Sequence, residues 1–182
     1  MFLIGLLLGV AAAAGDRSMG LGTSDFARVL FWLPNIGSLW VAAAFFAGAW
    51  FRRPWMSTAA GCAALVSAVA AYYALGLTFG DRADVGLAAI APTLLRWLVA
   101  ALIVGPVFGF LGSLFRYGRN GMGLLGALAL PSVVVSESGY QFLRELPYFG
   151  NDPWRDGMLL CMFGVGVVMA VLFVRRWKIR PA

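Results

Sequence analysis

The sequence predicts an all-α, polytopic integral membrane bundle: six transmembrane helices with both termini cytoplasmic, and one further helix lying on the outer interface. Three observations predict it. Of 182 residues, 62% are hydrophobic and 12% charged, whereas about a quarter of the residues in a soluble domain are charged; the mean hydropathy is +0.85. The charges are also segregated. The breaks at 52–53, 116–119 and 175–180 hold eight Lys or Arg and no acid, while all eight acids and the other six arginines lie in or beside the alternate breaks. Cytoplasmic loops of bacterial inner-membrane proteins carry the Lys/Arg excess, so this alternation sets an orientation as well as a class. Finally, Trp50, Trp55 and Trp177 fall at the inner boundary and Trp32, Trp97 and Trp154 at the outer one, as interfacial aromatic belts do.

Crossing a hydrocarbon core of ~30 Å takes about 20 helical residues. The first segment, 2–19, is short for that. Its small residues near Ala12 to Ala14 resemble a signal-peptide cleavage site, but no basic stretch precedes it and five apolar segments follow, so it reads as a span. A five-span alternative, with this segment peripheral, would place Met1 outside. Residues 24–33 put Phe26, Val29, Leu30 and Leu33 on one face and Asp25 and Arg28 elsewhere, the pattern of an outer interfacial helix. The second span is 34–51, with Pro34 suited to a first helical turn. After the inner loop 52–54 comes the third, 55–75, then an outer loop, 76–91, with Asp81, Arg82 and Asp84. The fourth span is 92–115, and the inner loop 116–120 leads to the fifth, 121–143. An outer loop, 144–157, precedes the sixth, 158–174, and the basic tail. No Gly/Ser-rich or Pro-rich linker divides the chain, which reads as one transmembrane domain, 1–182.

A net charge of +6 would point to nucleic acid in a soluble protein. Here the excess sits beside the membrane, where each Lys or Arg gains about 1 kcal/mol from anionic lipid; anionic-lipid contact at the inner face is expected and nucleic-acid binding is not. Histidine is absent, and Cys62 and Cys161 fall in segments that run in opposite directions, at different depths. They are expected unpaired and buried as small apolar residues. No metal site, no His-dependent triad and no cofactor is expected. Nor is an enzyme, since general acid–base work would rest on Glu137 alone.

Charges inside the hydrocarbon are rare and are functional candidates by default. The fifth span carries Glu137, Tyr140, Gln141 and Arg144 at i, i+3, i+4 and i+7, one helical face. Glu137 is expected about two turns below the outer surface. Arg96 on the fourth span is its natural charge partner, with Trp97 beside it and Tyr72 and Tyr73 at a similar level of the third. These eight residues could line an outward pocket for a polar or partly aromatic solute. They could equally be a buried interhelical pair that fixes packing, or a proton relay through Glu137. Pro131 and Pro106 each remove a helical hydrogen bond, from the carbonyls of Ala127 and Leu102, and are expected to kink their helices. Small residues recur at Gly5, Gly9 and Ala13, at Ala44 and Gly48, and at Gly105 and Gly109, a spacing that lets helices approach closely. The first of these stripes packs either within the chain or against another membrane protein.

Asn35 to Trp40 running into Ala47 and Gly48, the pair Tyr72 and Tyr73, Gly105 to Gly109 with Gly112, and Glu137 before Tyr140 resemble a family of small bacterial integral membrane proteins, common in actinobacteria and of unknown function. In size, span number and small-residue first helix the chain is also similar to the substrate-binding subunits of energy-coupling-factor vitamin transporters. That similarity implies an outward pocket for a vitamin, and a first helix that docks on a shared transmembrane partner through Gly5, Gly9 and Ala13. It is a likeness of architecture, and folds do not carry function by themselves. The expectation is a multi-pass protein of the bacterial plasma membrane that binds a small solute, as the binding subunit of a transporter. The rival is a non-catalytic accessory or structural subunit of a larger membrane complex.

Overall fold

The computed structural model describes residues 2–18, 36–79, 86–146 and 153–178. Among them are six α-helices and no strand: α1 (Phe2–Ser18), α2 (Gly37–Ala49), α3 (Pro54–Phe79), α4 (Leu87–Tyr117), α5 (Asn120–Glu145) and α6 (Pro153–Lys178). The interfacial helix expected over 24–33, with Trp32 and Pro34, lies outside the described residues. So do Asp81, Arg82 and Asp84.

Four helices, α3 to α6, are long and apolar enough to cross a membrane, whereas α1 and α2 are shorter apolar helices. At 1.5 Å per residue α3, α5 and α6 are about 39 Å long and α4 about 46 Å, against a core of ~30 Å. By the same rise α1 is about 26 Å and α2 about 20 Å. The long helices overrun the expected spans because neither a short apolar flank, such as 87–91 of α4, nor polar end residues, such as Arg155 and Asp156 of α6, stop a helix. Thus α4 starts at Leu87, five residues ahead of Pro92, and α6 starts at Pro153, five ahead of Met158. Pro54 and Pro153 stand at first helical positions, where the missing N–H costs nothing. In contrast the described part of this segment gives α2 from Gly37, with Ile36 extended before it. Both α4 and α5 run through their internal prolines, Pro92, Pro106 and Pro131.

The chain packs as two compact units, Met1–Ser113 and Leu114–Ala182. In the first, α3 is central and antiparallel to both α2 and α4. Glycines set close approaches among the three helices: a Cβ on Gly48 of α2 would strike the backbone of Gly109 of α4, one on Gly61 of α3 would strike Gly105 and Gly109, and one on Gly109 would strike the carbonyl of Ser57. Nearer the other end of α3 the filling is bulky. Leu65, Val69 and Tyr73 pack with Ala44, Ile90 and Ala101, and Trp40, Leu94 and Phe108 close the cluster. The three helices therefore converge at the glycines and are held apart by aromatic and branched side chains beyond them. Removing apolar surface gains nothing between helices in lipid, so this backbone proximity, with its dispersion contacts, is what holds them.

Helix α1 lies along α3 in the same direction. Gly5 abuts Ala64 and Ser67, and Gly9 abuts Ala68 and Ala71; Ser67 Oγ donates to Ala64 O at 3.0 Å and reaches Phe2 O at 3.4 Å. This register starts α1 about two turns, on the order of 10 Å, beyond Pro54.

The second unit is the antiparallel pair α5 and α6 with the last turn of α4. Gly123 meets Trp177, and Gly166 meets Val134 and Val135. At one end Phe115 stacks on Phe173 with ring centroids 4.4 Å apart. On α6 the covered stripe is narrow: Asp156, Leu159 and Gly166 are buried, and Leu160, Phe163, Val165, Val168 and Leu172 are exposed apolar residues. Both cysteines are free, as expected, but Cys161 is exposed and Cys62 only half-buried, which corrects the expectation that both are buried. Cys161 falls between the stripe residues Leu159 and Gly166, on the open side of α6.

Candidate functional site

The polar face of α5 is legible in the structure residue by residue. Its packed side is Ala127, Leu130, Pro131, Val134 and Ser138, all buried; the Ser138 hydroxyl is turned inward and donates to the carbonyls of Val134, at 2.8 Å, and Val135, at 3.0 Å. Glu137 and Gln141 stand at the edge of that side, both half-buried. They lie one turn apart, and Gln141 Nε2 donates to Glu137 Oε1 at 3.4 Å. Further round, Tyr140 is 66% exposed, and Arg144 is exposed too. The four residues thus form a graded strip, from a carboxylate held by an amide at the packing edge to an open phenol and guanidinium. Glu137 is two turns from the C-terminal end of α5, about 12 Å.

The other four expected residues belong to the first unit. Tyr72 is half-buried, edge-on to Trp40 at 6.2 Å and to Tyr73 at 5.2 Å. Tyr73, only 5% exposed, is part of the core with Leu65 and Val69. Consecutive helical residues point about 100° apart, so the two tyrosines take different surroundings. Arg96 is exposed and Trp97 is 55% exposed, since the side of α4 that faces α3 runs through Leu94, Ala101, Gly105 and Gly109. Arg96 belongs to the first unit and Glu137 to the second. Trp40 was not marked by the sequence as a site residue; an isolated aromatic in an apolar run carries no signal of which ring it will meet.

Gly5 and Gly9 are buried, and α3 of the same chain occupies their face. The buried series continues through Ala12 rather than Ala13, which is half-buried, because a stripe at 3.6 residues per turn drifts off a strict four-residue spacing.

Asp156 is the residue that sequence reasoning missed. Read as a loop acid, it is instead in the first turn of α6 and only 5% exposed. Continuing the Val134–Gly166 register by ten residues along each helix brings Asp156 to the level of Arg144. An acid at a helix N-terminus is favoured by the macrodipole. The only advance signal was Pro153 three residues ahead, a helix-start marker. No cluster of three or more Cys, Asp or Glu that could hold a metal ion occurs among the described residues.

Residues 1–182, the whole chain, match a family of unknown function, DUF6518. No curated protein and no solved structure gave a match.

Proposed function

We propose that this chain, which belongs to the DUF6518 family, is a multi-pass protein of the bacterial plasma membrane, with six membrane-embedded helices and both termini cytoplasmic, that holds a small polar solute on the outer half of α5. The observation that carries the solute reading is the Glu137 carboxylate, half-buried within a helix of membrane-crossing length and fixed by Gln141. Charges within membrane-crossing helices are costly and rare, and are functional candidates by default. Beside it Tyr140 offers an open ring face, and Arg144 lies two turns along the same strip, about 10 Å away. That spacing suits a solute with an amine for Glu137 and Tyr140 and an anionic or polar end for Arg144. The accessory-subunit reading drew on the small residues of α1, and α3 accounts for Gly5 and Gly9 inside the chain.

Two experiments test this. For topology, a reporter fused after Ala182 should read as cytoplasmic and one inserted at Asn151 as external; a cytoplasmic signal from Asn151 overturns the arrangement. For the solute, a panel of small amines and zwitterions should include compounds that raise the melting temperature of the purified protein. Tyr140→Ala and Gln141→Ala should each abolish that rise, because ligand binding to the folded state alone adds stability, and loss of the exposed Tyr140 ring should leave the ligand-free melting point nearly unchanged. A rise that survives both substitutions removes α5 as the site.

A further inference from the structure

We infer that the Trp177 end of the second unit binds the headgroup of an anionic phospholipid, its phosphate held between the α4–α5 turn and the last turns of α6. This rests on the topology proposed above, which places that end at the cytoplasmic face. The cations involved are far apart in sequence, Arg116 and Arg119 on one side, Arg175, Arg176 and Lys178 on the other. Tertiary contacts bring them together. Trp177 Nε1 donates to the carbonyl oxygen of Asn120 at 3.1 Å, and Asn120 follows Arg119. The Arg176 guanidinium lies over the Phe115 ring, 5.7 Å from its centroid, and Phe115 precedes Arg116. All five cations are exposed.

Nothing acidic lies near them in sequence, since no Asp or Glu occurs between Asp84 and Glu137 or after Asp156. Helix chemistry accounts for some of these charges: Arg116, Arg175, Arg176 and Lys178 sit in last helical turns, where the dipole favours cations. It does not account for Arg119. That residue is the N-cap of α5, with no side-chain capping bond, at the end of a helix where the dipole disfavours a cation. Next to it Asn120 has a left-handed φ of 51°, and its carbonyl accepts the Trp177 indole N–H. The turn is thus fastened to α6 while its arginine stands where an anion would be welcome. A phosphate monoanion or diester set among these cations relieves both their mutual repulsion and the Arg119 mismatch. Basic pockets between membrane helices on the cytoplasmic side bind lipid headgroups in this way, with Trp at the interface.

The test uses the purified full chain in neutral detergent, titrated separately with phosphatidylglycerol, phosphatidylcholine and inorganic phosphate, with the melting temperature as readout. Phosphatidylglycerol should raise it and the other two should not. Arg119→Gln with Arg176→Gln should shift the phosphatidylglycerol midpoint to about thirtyfold higher concentration, while Arg52→Gln with Arg53→Gln, on the other basic loop, should leave it in place. Arg119→Gln alone should weaken lipid binding and yet melt no lower than wild type without lipid, because it removes a cation from a helix N-terminus; this arm holds even if the double variant folds poorly. An equal rise with inorganic phosphate, an unchanged midpoint in the Arg119 variants, or an equal loss in the Arg52 and Arg53 variant would each overturn the proposal. An external signal from the reporter after Ala182 would mean that the topology failed. A cytoplasmic signal with no phosphatidylglycerol response would mean that this inference alone did.

Discussion

Gly109→Val should leave the first unit unable to assemble, with a loss of at least about 3 kcal/mol in stability. Gly109 of α4 is approached by Gly48 of α2 and by α3, and the atoms a Cβ there would meet are backbone, the Ser57 carbonyl and the Gly61 main chain. Backbone cannot swing away as a side chain can, so the helices must separate and forfeit contacts along their whole seam. The variant should express poorly, or melt far below wild type in detergent. Gly164→Ala is the matched control, since nothing lies within 4 Å of its added methyl; it should be neutral, or stabilising by up to about 1 kcal/mol from helix propensity. A Gly109→Val protein that melts with the wild type would show that these three helices do not touch there.

Asp156→Ala should lower stability by about 1 to 2 kcal/mol, and Asp156→Asn by less. The carboxylate is almost fully buried in the first turn of α6, so truncation removes a buried anion from its favourable position at the positive end of the helix and leaves a void. The amide keeps the shape but not the charge. Thermal melting of the two variants beside wild type decides the matter. Indistinguishable melting of Asp156→Ala would return the residue to the exposed loop that sequence alone assigned it.

The all-helical architecture and the apolar segments that become α3 to α6 were determined by the sequence itself, because hydrophobic run length and the placement of charges are local properties that survive any packing arrangement. The glycine spacings likewise announced close helix contacts. The Glu137–Gln141 pair was also readable, since residues four apart on a helix are neighbours by construction. Only the tertiary structure decided which helix each small residue meets: that α3 takes Gly5 and Gly9, and that Gly109 serves two neighbours at once. It alone separated Tyr73 in the core from Tyr72 at the Trp40 edge, buried Asp156, and brought Arg119 to the end of α6 through the bond from Trp177 to Asn120. A one-dimensional pattern gives the period of a face but not its partner, because in an apolar solvent almost every helix face is hydrophobic. The choice among such faces is then made by backbone proximity, side-chain volume and a few polar contacts, which exist only once the helices are side by side.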